Sequence, residues 1–99
     1  MPAMATLITV WAIYYHERYL KIARGVGDSV GEGMSYGNLG NTYASLGDFK
    51  EAMECHERGV KIAKGMGDRA EEGRFYLSLD ICFESRGSLK KALAGLLSF

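Results

Sequence analysis

Two His-Glu pairs, His16-Glu17 and His56-Glu57, stand 40 residues apart. On a helix, a second histidine four residues after the first would complete a zinc site with the glutamate as general base. Leu20 and Val60 occupy those positions instead, so both histidines read as packing residues and no metal is expected. Gly25, Gly27 and Gly31 superficially resemble a phosphate-cradling loop. They follow a helical stretch rather than a strand, lack the GxGxxG spacing, and return in part as Gly65 and Gly67, which is the behaviour of helix terminators. Asp80 and Glu84 lie one helical turn apart, as a carboxylate pair for acid and base work would, but nothing near them suggests a nucleophile or metal. Cys55 and Cys82 form no CxxC pair and no disulfide framework; they read as inert packed thiols in a reducing, cytoplasmic setting. The chain is expected to be no enzyme and to use no cofactor.

The histidines owe their spacing to an internal repeat. The segment His16 to Asp28, HERYLKIARGVGD, returns as His56 to Asp68, HERGVKIAKGMGD, and the same shift aligns Tyr36 with Tyr76, Leu39 with Leu79, Gly47 with Gly87 and Ala52 with Ala92. A period of this length marks supersecondary units that bury a face against their neighbours, so function is expected in a surface. Gly27, Gly47 and Gly67, each followed by Asp, and then Gly87-Ser88, punctuate the chain as helix ends and caps. Five helices are predicted, over 6–24, 29–46, 49–64, 69–86 and 89–98. In the third, Phe49, Ala52, Met53, His56, Val60 and Ala63 form one apolar stripe. Glu54 with Arg58 and Glu57 with Lys61 fall four apart on its solvated side, the spacing of supporting ion pairs. Short connections make successive helices antiparallel neighbours.

Composition narrows the partners. With 12 basic and 12 acidic residues in 99, no net field draws the chain to nucleic acid or to an anionic membrane surface. Ala3 to Tyr15 is apolar throughout but falls short of the ~20 residues that span a bilayer, and is expected to be a buried helix.

The strings Tyr36-Gly-Asn-Leu39-Gly40-Asn-Thr-Tyr43 and Leu46-Gly47-Asp48-Phe49, followed by Ala52, resemble the tetratricopeptide repeat, a helix-turn-helix unit with a small residue on each helix where the two approach. The 40-residue period is similar to that of the LGN/Pins G-protein-signalling modulators and of tetratricopeptide repeat protein 28 and its relatives. The resemblance implies an all-α fold, a right-handed α-solenoid of antiparallel helical hairpins with Gly40 seated over Ala52. It also implies a piece of a longer array: a partial repeat over 1–24 holding only a second helix, a complete repeat over 29–64, and a degenerate one over 69–98. Asp80 stands where the complete unit has Gly40, an acid in a crowded contact.

In the resembled family the first helices line a concave groove for a partner peptide. Carried over, the facing residues are Met34, Gly37, Asn38, Asn41 and Ser45, then Arg74, Leu77, Ser78, Ile81 and Glu84. Asn38 and Arg74 match two places of a carboxylate clamp, whereas Ser78 stands where that clamp is basic. The expected function is a scaffold that binds a protein or peptide partner, in G-protein-regulatory, polarity or cytoskeletal assemblies. The alternative is a self-associating structural fragment, with apolar faces open at Trp11 and at Leu93, Leu96, Leu97 and Phe99.

Overall fold

Three Gly-Asp dipeptides divide the chain. A computed structural model describes residues 2–97, in which Gly27, Gly47 and Gly67 take φ of 74°, 79° and 70°. This left-handed backbone carries little strain without a Cβ, so each glycine ends one helix and reverses the chain. The aspartate that follows then starts the next helix. Asp28 accepts from the amide of Gly31, Asp48 from Glu51 and Asp68 from Glu71. The helices are α1 (Pro2–Val26), α2 (Ser29–Ser45), α3 (Phe49–Met66) and α4 (Arg69–Leu97), and no strand occurs among the described residues.

Four helices replace the five expected from sequence, because α4 runs straight through Gly87-Ser88. Gly87 keeps a negative φ, and Ser88 stands where the other turns have Asp. A glycine inside a helix costs only about 1 kcal/mol. Turning back would press a second helix onto Asp80, which lies exposed at the place of Gly40, and desolvating an unpaired carboxylate costs several times more. Continuing the helix is the cheaper solution. The last expected residue of the fifth helix, Ser98, and Phe99 lie outside the described residues.

The core sits between consecutive helices. Leu20 and Ile13 from α1, Tyr36, Leu39 and Tyr43 from α2, and Cys55 and Ile62 from α3 form one cluster; Val60 and Ala63 from α3 with Phe75 and Leu79 from α4 form the next. Two rings enter glycine notches. A Cβ on Gly40 would sit 2.6 Å and 2.7 Å from Nε2 and Nδ1 of His56, and one on Gly59 would sit 2.6 Å from Cδ1 of Phe75. Ala52 is wholly buried, but it is the His56 ring that fills the space at Gly40. The 40-residue shift puts Tyr19 and Ser35 at the places of Gly59 and Phe75, so the two units exchange large for small at one pair of positions.

Two further expectations change. The segment Ala3 to Tyr15 is helical but not buried: α2 covers α1 only from Ile13 onward, which leaves Met4, Leu7, Ile8 and Val10 exposed. Trp11 and Tyr15 stack on each other instead, with ring centres 5.8 Å apart. The Glu54–Arg58 and Glu57–Lys61 pairs are not formed. Among the described residues the ion pairs are Arg24–Glu32 at 3.3 Å and Glu71–Arg74 at 2.6 Å. Arg58, exposed on α3, instead donates to the Tyr36 hydroxyl at 3.4 Å, and the Arg24 guanidinium lies over the same ring at 5.3 Å.

Candidate functional site

A groove opens between α2 and α4, with α3 as its floor and a volume of about 600 Å3. Helical spacing puts Met34, Gly37, Asn38 and Asn41 on one wall and Glu71, Arg74 and Ser78 on the other. Six of the residues singled out in the sequence, Met34, Gly37, Asn38, Asn41, Arg74 and Ser78, therefore share this groove. Ser45 and Glu84 lie apart from them in a second depression with Ile81, Phe49 and Leu89. Leu77 lines neither and is exposed.

Their hydrogen-bonding capacity is partly spent within the helices. The Ser78 hydroxyl donates to the Arg74 carbonyl at 3.1 Å and that of Ser45 to the Asn41 carbonyl at 3.0 Å, so both present only lone pairs outward. The Arg74 guanidinium donates to the Glu71 carboxylate one turn back, so a ligand carboxylate must compete for it. With Asp68, Glu71 and Arg74 as the charged lining residues, the α4 wall carries one surplus negative charge. Asn38 and Asn41 are exposed, and each amide can both donate and accept hydrogen bonds.

The floor holds His56 and Ala63, which sequence reasoning assigned only to packing, together with Gly59, Ile62 and Phe75, which it did not single out. The signal was available, since α3 follows α2 by a tight turn and its stripe must lie beneath the groove. His56 is 1% exposed, its ring tilted against Phe75 at 6.1 Å, and its Nδ1 has no partner. Burial holds its pKa below the ordinary histidine value, because a charged imidazolium here would be desolvated. A depressed histidine pKa means that the unfolded chain takes up the proton first, so stability is full above the unfolded value near 6.5 and falls as the pH drops below it. The melting temperature should fall between pH 7.5 and pH 5 in circular dichroism, and His56→Phe should flatten that slope. An equal slope in the variant would remove His56 as its source.

Burial pushes the Cys55 thiol up to about 11, leaving it protonated and unreactive, and Cys82 is also buried and free. No three His, Cys, Asp or Glu among the described residues are grouped to hold a metal ion, and no described helix is long and apolar enough to cross a membrane.

A sequence model described as Tetratricopeptide repeat matches residues 12–65. The chain is also similar to G-protein-signaling modulator 1 of Homo sapiens, 50% identical over 44 residues, which is 44% of this chain and 6% of that protein. The same protein from Mus musculus and from Rattus norvegicus is 47% identical over 38 residues, 38% of the chain and again 6% of the relative. The chain thus spans a small fraction of the length of these relatives.

Proposed function

Since the chain belongs to the tetratricopeptide repeat family, we propose that it is a noncatalytic scaffold that holds an extended or helical segment of a partner protein between α2 and α4. The observation that carries this reading is the convergence of Asn38 and Asn41 with Arg74 over an apolar floor. Two amides one turn apart along the α2 wall, opposite a guanidinium on the α4 wall, bond a peptide backbone at any sequence, while the floor takes an apolar anchor side chain. The surplus carboxylate on the α4 wall favours a neutral or basic residue beside that anchor.

In this reading the hairpins continue as a right-handed solenoid, with unit limits at 1–24, 29–64 and 69–98, and the two described depressions are successive stretches of one concave face. The protein works in the cytoplasm, where the free buried thiols Cys55 and Cys82 stay reduced. The similarity to proteins named for modulating G-protein signalling supports a place in G-protein-regulatory, polarity or cytoskeletal assemblies. Neutral overall charge gives no pull toward nucleic acid.

Two walls from little more than one unit make a weak site, with a dissociation constant on the order of micromolar or above, near −8 kcal/mol or less favourable. A peptide array followed by calorimetry should show Asn41→Ala and Arg74→Ala each lowering affinity by about 1 kcal/mol. Far-UV dichroism should remain unchanged, since both side chains are exposed. Binding that ignores both substitutions rules out the groove.

A further inference from the structure

Helices α1 and α4 expose the two halves of an interface that the α2–α3 hairpin already contains. In the α2–α3 hairpin, Cys55 and Ile62 pack with Tyr36, Leu39 and Tyr43, and His56 fills the space at Gly40. Moved back by 40 residues, the α3 positions become Tyr15, His16 and Ile22 on α1. Moved forward by the same step, the α2 positions become Tyr76, Leu79, Asp80 and Phe83 on α4. Both faces are open among the described residues: Tyr15 is 58% exposed, Ile22 60% and Phe83 66%, and Asp80 is exposed as well. We infer that a second copy of this chain covers them, with α1 of one copy docked antiparallel on α4 of the next in the register of the α2–α3 hairpin.

Charge complementarity supports this occupant. The Gly40–His56 contact fixes the hairpin register, and its counterpart between copies sets Asp80 of one against His16 of the next. The acid that departs from the small residue of the complete unit then meets an imidazole N–H instead of a closed apolar contact. The same register brings Phe83 opposite Ile13 and Gly87 opposite Thr9. The part of α4 that runs on past the expected turn then lies along the first turns of α1, whose apolar residues are likewise uncovered. Residues 2–15 carry no charged side chain, so Lys90 and Lys91 meet no like charge there. Leu79 joins this face to the existing α3–α4 core, so the new contact continues an interface already formed.

The two docking faces differ, so the contact is head-to-tail and leaves one of each kind free after every addition. Light scattering and sedimentation velocity of the 99-residue chain, from low micromolar to submillimolar concentration, should show an average mass rising beyond twice 10.9 kDa. Tyr15→Asp and Phe83→Asp should each raise the dissociation constant about tenfold or more and leave monomer. Mixing the two variants should give a discrete dimer, because one retains an intact α4 face and the other an intact α1 face. Asp80→Lys should weaken association, and adding His16→Asp to it should restore it. All four positions are at least partly open to solvent, so far-UV dichroism will confirm that the variants fold. A chain that stays monomeric over the whole range overturns the inference, as does a dimer that survives either aspartate variant or a mixture that stays monomeric. These readouts involve no groove residue, so they stand or fall separately from peptide binding.

Discussion

Gly40→Leu should destabilise the fold by about 3 kcal/mol or more, and even Gly40→Ala should lower the melting temperature. On propensity alone the alanine ought to help, by roughly 1 kcal/mol in a helix interior. Packing opposes it. The new Cβ would lie 2.6 Å from Nε2 and 2.7 Å from Nδ1 of a ring that is itself sealed against Phe75, and overfilling a dense core costs about 1 to 3 kcal/mol. The overlap wins because His56 cannot swing out without opening both hairpins. Gly73 provides the control, since nothing lies within 4 Å of its added Cβ and it faces solvent on α4. Gly73→Ala should therefore stabilise by about 0.5 to 1 kcal/mol. Thermal melts of the two alanine variants should move in opposite directions; a Gly40→Ala protein as stable as the parent would show that the notch is not filled as described.

Phe75→Ala should cost about 3 to 5 kcal/mol, the usual loss for an aromatic removed from a core. Its ring occupies the Gly59 notch, comes 3.4 Å from the place of a Cβ on Gly37, and packs on Val60, Ala63 and Leu79. With glycine beneath it, no neighbouring side chain can collapse into the space, so the loss belongs at the upper end of the range. The same ring ties the α4 wall to the groove floor, so any partner peptide should be released in parallel. Denaturant unfolding, with the midpoint converted to free energy, is the measurement. A loss under 1 kcal/mol would mean that α4 is held elsewhere.

Much of this architecture was legible because its punctuation is local. A Gly-Asp pair specifies a left-handed residue and a cap within two positions, so α2 and α3 could be bounded from sequence to within two residues. At Gly87 the reading failed, because whether a helix stops there depends on the surface it would turn onto, and Asp80 decides that from seven residues away. The exposure of the first turns of α1 was hidden for a similar reason. Apolarity predicts a wish for burial, whereas burial itself needs a neighbour, and α2 reaches only as far as Ile13. The i,i+4 charges on α3 gave the spacing for ion pairs but not the pull of the Tyr36 ring on Arg58. At the candidate site, the family resemblance singled out Asn38, Asn41 and Arg74, which lie on α2 and α4 along one groove. It did not reveal that Glu71 already holds the guanidinium, or that a histidine with an unmet nitrogen lies beneath.

Among the described residues, substantial contact runs only from α1 to α2, from α2 to α3 and from α3 to α4. A molecule wired in this serial way, 53 Å along its longest axis, loses order from its extremities inward. Amide hydrogens in α2 and α3, the helices flanked on both sides, should exchange with deuterium last, and those before Ile13 and beyond Gly87 first. Assembly of the chain should be quick for the same reason, since no pairing has to wait for distant segments to find each other.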